Sequence, residues 1–75
     1  MAANRIDVEK SYPHKEVIAK LRRLADALES GKTFEIQISG KRIRVPPHAL
    51  VEFEYERRAE EEEVEIELKW KRNSV

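Results

Sequence analysis

The chain has no cysteine, so neither disulfides nor thiolate metal sites are available to it. These are two of the usual staples of small domains, and association with another copy remains available. There is no excess of charge of either sign: fifteen Lys and Arg stand against fifteen Asp and Glu, and the total gives no long-range attraction toward nucleic acid. No run approaches the roughly 18 apolar residues of a membrane span, and the opening MAANRID has no apolar h-region. Neither a membrane position nor secretion is supported, and the cytoplasm is the expected compartment. Only two histidines occur, His14 and His48, with no HxH or HxxxH spacing to hold a metal. With 75 residues there is room for one core and no more, and about 60% of the unfolded surface can be buried.

What the sequence does contain is periodicity. Val17, Ile18, Leu21, Leu24, Ala25 and Leu28 make one continuous helical stripe. Pro13 suits a first turn and Gly31 a left-handed C-terminal position, so a helix is expected from about Pro13 to Ser30. Elsewhere the period is two. Ile6 and Val8 alternate with charged residues across 5–10, the pattern of a short strand. Phe34, Ile36 and Ile38 share one face, and Ile43 and Val45 the next. Val51, Phe53 and Tyr55 form a further strand, and Val64, Ile66, Leu68 and Trp70 the last. A turn at Gly40-Lys41 pairs Ile38 with Ile43 and Ile36 with Val45, whereas a turn at Ser39-Gly40 opposes Ile38 with Lys41; the first is the better apolar match. Pro46 and Pro47 end their strand, since neither can donate to a ladder.

The expected fold is therefore α+β with two layers: one amphipathic helix packed on one face of a mainly antiparallel sheet, in the order β-α-β-β-β-β. Residues 5–72 form the single domain, with 1–4 and 73–75 as flexible ends. Trp70 shares the parity of Val64, Ile66 and Leu68 and is read as a core plug against the helix.

Charge is distributed unevenly. Between Glu52 and Glu67 nine glutamates face two arginines. If the last two strands form a hairpin with Tyr55 opposite Val64 or Ile66, Glu52, Glu54 and Glu56 fall beside Glu65 and Glu67 on the outer face. Like charges across a ladder repel. Arg42 and Arg44 have outward parity, as do Lys69 and Lys71, and are the groups expected to offset that repulsion. A solvated outer face is normal for an antiparallel sheet. As a working surface, the same face would dock a basic partner or a divalent cation.

The run EVIAKLRRLADALESGK, then RIRVPPHALVEFEYE, then a closing VEIELKW resembles the amphi-Trp domain family from about Arg5 to Trp70. The resemblance implies one compact prokaryotic-type domain. The family has no established activity, so it implies no functional residues. One departure is local: where a Ser or Thr cap is expected ahead of an acidic first turn, this chain has Pro13, His14 and Lys15, leaving only Glu16.

Catalytic and cofactor motifs do not assemble. SGKT at 30–33 echoes a phosphate loop, but position 26 is Asp rather than Gly, and a helix precedes where a strand should. The serines and the threonine sit at turns, caps and ends with no base spaced to activate them. No cofactor and no enzyme activity are expected. The leading expectation is a non-enzymatic interaction or structural module, monomeric or weakly dimeric. It would contact another protein or its own copy through the acidic outer face (Glu52, Glu54, Glu56, Glu65, Glu67, with Arg42 and Arg44) or through an open strand edge. The alternative is a nucleic-acid-binding accessory domain using the basic helix residues Lys15, Lys20, Arg22 and Arg23.

Overall fold

The computed structural model of the chain describes residues 7–72. The helix α1 runs His14–Ser30. Pro13 precedes it in an extended conformation, and its carbonyl accepts the backbone N–H groups of Glu16 and Val17 at 3.0 and 3.1 Å. No side chain caps this end, as the run Pro13-His14-Lys15 leads one to expect. The other end closes in a Schellman arrangement: Gly31 stands at φ 65, its N–H reaches Leu28 O at 3.3 Å, and that of Lys32 reaches Ala27 O at 2.9 Å.

Four strands follow: β1 Phe34–Ile38, β2 Lys41–Val45, β3 Leu50–Arg57 and β4 Glu62–Lys69. They pair as two antiparallel hairpins, β1 with β2 and β3 with β4, rather than as one four-stranded sheet. Pro46 and Pro47 lie between the hairpins and cannot carry a ladder across. The α+β class and the order of one helix followed by four strands stand. The expected leading strand does not form over residues 7–12, where there is no regular structure; its residues 5 and 6 lie outside the described span, as do the expected flexible ends 1–4 and 73–75. Side chains hold residues 9–12 beside β1 instead: the Tyr12 hydroxyl donates to Gln37 O at 3.1 Å and Ser39 Oγ meets Glu9 O at 3.5 Å.

The first hairpin corrects the expected register. Ile38 lies opposite Lys41, Ile36 opposite Ile43 and Phe34 opposite Val45, so the turn is Ser39-Gly40 and not Gly40-Lys41. Both turn residues have positive φ, 49 at Ser39 and 78 at Gly40, as a type I′ turn requires; its twist matches that of the strands it joins. The rejected register, two residues along, would oppose Phe34 with Pro47 and Glu35 with Pro46, forfeiting ladder bonds. Yielding one apolar pair at the turn keeps Phe34 on Val45, and these are the most buried residues described, 6% and 5% exposed.

Phe34 and Val45 anchor a thin core. Leu24, Ile36, Ile38 and Ile43 are half-buried around them, between α1 and the first hairpin. Ile66, Leu68 and Trp70, on the inner face near the base of the second hairpin, line an open apolar groove of about 330 Å³ with Leu21, Leu24 and Phe34. The two-layer arrangement is thus loose, and the radius of gyration of 14.4 Å exceeds the roughly 11 Å of a compact chain of this length.

Candidate functional site

The second hairpin has two unlike faces because its strands alternate from Val51 to Glu56 and from Glu63 to Leu68. Tyr55 lies opposite Val64, so Phe53 meets Ile66 and Val51 meets Leu68 on one face; on the other, Glu52 opposes Glu67, Glu54 opposes Glu65 and Glu56 opposes Glu63. Every expected glutamate is therefore on a single surface, in the first of the two registers that the pattern allows.

Opposed carboxylates must be neutralised or must share protons. Both happen here. At the base, Lys69 Nζ lies 3.1 Å from a Glu52 oxygen and 3.4 Å from a Glu67 oxygen, and these two hydrogen bonds hold the ammonium pKa above its ordinary value. In the middle, a hydrogen bond with Glu54 raises the pKa of Glu65, helped by the neighbouring charge of Glu63. At the tip, Arg58 gathers Glu56, Glu61 and Glu63 at 3.2–3.3 Å, and its backbone N–H closes the turn on Glu61 O at 2.8 Å. The Tyr55 hydroxyl donates to Glu62 Oε1 at 3.0 Å, which raises the phenol pKa.

Arg42 and Arg44 do not join this network. They lie on β2 in the first hairpin, where Arg44 reaches Glu35 at 3.5 Å, directly across its own ladder. Arg42 lines one concavity with Lys20 and Arg23, and Arg42 and Arg44 together line another with Lys41 and Arg72 next to Trp70. Of the expected counter-charges, Lys69 thus neutralises the acidic face, while Arg42 and Arg44 lie beside Trp70 instead, because the proline break separates the two sheets.

Carboxylate oxygens of Glu54, Glu65 and Glu67 all come within 4.8 Å of one another, a spacing that could hold a divalent cation. The Lys69 ammonium lies 3.4 Å from Glu67 of this group. His14 and His48 are exposed, at the start of α1 and after Pro47. Of the basic helix residues, Lys20 sits 4.6 Å from the Tyr12 ring, whose centre is 5.2 Å from Lys10. Arg23 lies 5.4 Å from the Phe34 ring and donates to Glu35 O at 2.9 Å.

The apolar face of the same hairpin is the feature that residue-by-residue reading missed. Phe53 is 76% exposed, Val64 69%, Tyr55 59% and Ile66 42%, while Val51, Leu68 and Trp70 toward the base are half-buried. The signal was present in the strand lengths. Two strands of eight residues span about 27 Å and two of five about 17 Å, so the first hairpin is too short to face the whole of the second, and its distal half overhangs. Trp70 closes the covered end, half-buried beside the groove rather than fully plugged into a core.

No helix among the described residues is long and apolar enough to cross a membrane. No curated protein and no solved structure matches the chain. A family profile does match, over residues 1–75, and the amphipathic strands followed by Trp70 agree with it: the chain belongs to the Amphi-Trp domain family.

Proposed function

We propose that this chain is a non-enzymatic protein-interaction module whose contact surface is the overhanging apolar face of the β3–β4 hairpin. One observation carries the reading: Phe53, Tyr55, Val64 and Ile66 form a contiguous patch left 42–76% exposed, on a strand pair whose opposite face is saturated with carboxylates. Contiguous exposed apolar surface marks interaction sites far more often than scattered apolar residues do. Aromatic anchors such as Phe53 and Tyr55 are the groups that dominate binding energy. The glutamates supply a polar rim and keep the hairpin soluble. The nucleic-acid alternative is less well supported, since Lys20 and Arg23 are occupied with Tyr12, Phe34 and Glu35, and Tyr12 has an ammonium near its ring rather than a free stacking face.

A photo-crosslinking amino acid placed at position 53, compared with one at position 54 on the opposite face, tests this in host cells. Adducts are expected from position 53 and not from position 54. Absence of adducts at position 53 would overturn the proposal.

A further inference from the structure

We infer that the occupant of this face is a second copy of the same chain, stacked face to face with its hairpin running antiparallel across a two-fold axis. The inference rests on the apolar face being the interaction surface and adds which molecule covers it.

Surface area supplies the first argument. The chain exposes 7086 Å², whereas a folded monomer of 8.8 kDa is expected to expose about 4,800 Å². The nine residues outside 7–72 can account for at most roughly 1,400 Å² of that excess, taken at the value for a fully extended chain. About 900 Å² remains over the whole molecule, of the order of the roughly 800 Å² per partner that a stable interface buries, and the three most exposed large apolar side chains, Phe53, Val64 and Tyr55, lie on this face. The core argues the same way: with two buried residues among those described and no cysteine, a domain of this size gains burial by association.

Charge fixes the partner and its direction. The hairpin is polarised along its length. From Glu56 to Glu63 the tip carries five glutamates against two arginines. Beside the base lies a cleft lined by Lys41, Arg42, Arg44 and Arg72. Two hairpins stacked antiparallel with Phe53 and Tyr55 at the centre bring each acidic tip to the other's basic cleft, whereas parallel stacking sets tip against tip. Zero net charge leaves no overall repulsion between copies, and the Glu52, Glu54, Glu65 and Glu67 face stays in water on the outside of both. Arg42 and Arg44, which lie outside the glutamate network of the second hairpin, acquire a role as the receptor for the partner's tip.

Sedimentation velocity across the micromolar range tests the inference on the full chain. The wild type is expected to approach twice 8.8 kDa. Phe53→Glu and Val64→Lys should each remain monomeric with an unchanged far-ultraviolet spectrum, since both side chains are already largely solvent-exposed in the monomer. The double variant Arg42→Glu, Arg44→Glu should weaken the dimer roughly tenfold or more, and adding Glu60→Lys and Glu61→Lys should recover most of that loss. A wild type monomeric at every concentration overturns the inference, as does a dimer indifferent to Phe53→Glu; a dimer unaffected by the charge swaps overturns its antiparallel geometry. A monomer that still crosslinks from position 53 to a heavier, different protein leaves the interaction reading standing and removes self-association; loss of all adducts removes both.

Discussion

Lys69 and Glu65 show how single side chains keep an acid-on-acid ladder folded. Lys69 bridges Glu52 and Glu67, the pair that the register sets directly opposite each other. Lys69→Gln keeps most of the length of the side chain and removes the charge, so the melting temperature is expected to fall at low ionic strength. The difference should shrink in high salt, where exposed carboxylates repel each other less. Equal destabilisation at every salt concentration would assign Lys69 a packing role instead. Glu65 behaves in the opposite sense. Its hydrogen bond with Glu54 raises its folded pKa above the ordinary value of 4.5, so the fold prefers its neutral form. That contribution is fully present below the unfolded value and is lost as pH rises through the folded one. The melting temperature should therefore increase as pH falls from 7 toward 4.5, and Glu65→Gln should flatten the slope while stabilising the protein at pH 7. Thermal melts of both proteins over that interval decide it, and a wild-type melting temperature that falls instead contradicts carboxylate crowding.

At the level of the elements, residues of positive φ at Gly31, Ser39 and Gly40 govern the path of the chain. Gly31 ends α1 at φ 65 with nothing within 4 Å of where a Cβ would stand, so a substitution there meets no clash and only the conformational penalty. Gly31→Ala is expected to cost about 1 kcal/mol in denaturant unfolding and Gly31→Asn less, because Asn tolerates this conformation. Ser39 occupies a type I′ turn at φ 49, where Asn is favoured over Ser, so Ser39→Asn should stabilise the first hairpin by several tenths of a kcal/mol; a loss of stability would implicate the weak Ser39–Glu9 contact. These positions also mark how far sequence reading reaches. The helix was legible because a 3.6-residue period and a terminal glycine are local signals, and the strands because alternation is. The first register was not: pairing Ile38 with Ile43 looked best locally, but the balance was set two residues further on, where Pro46 and Pro47 cannot ladder. The role of Arg42 and Arg44 was misread for a related reason. Their outward parity was correct, yet parity does not say which sheet a strand joins, and the proline break put them in a different one from the glutamates. Over residues 7–12 the leading strand is absent because Val8 is a lone apolar position between Asp7 and Glu9, and the segment beyond it meets β1 through Tyr12 and Ser39 side chains rather than backbone ladders.

For the whole molecule, thin burial makes stability a collective property. A monomer with Phe34 and Val45 as its buried centre and a half-covered second hairpin has little margin, so any burial of Phe53, Tyr55, Val64 and Ile66 between copies becomes part of the folding free energy. Unfolding then includes dissociation, and mass action makes the melting temperature rise with protein concentration; a monomeric domain shows no such dependence. Each tenfold increase in concentration is expected to raise the wild-type melting temperature by a few degrees, given that about 1 kcal/mol shifts a domain of this size by roughly 4–8 °C. Phe53→Glu should remove the dependence and hold the melting temperature at the low-concentration value, while Glu54→Gln, on the opposite face, should keep it. A wild-type melting temperature constant from dilute to concentrated solution would mean that the two hairpins and the helix are stable without a partner, and that the overhanging face is not part of what holds the fold together.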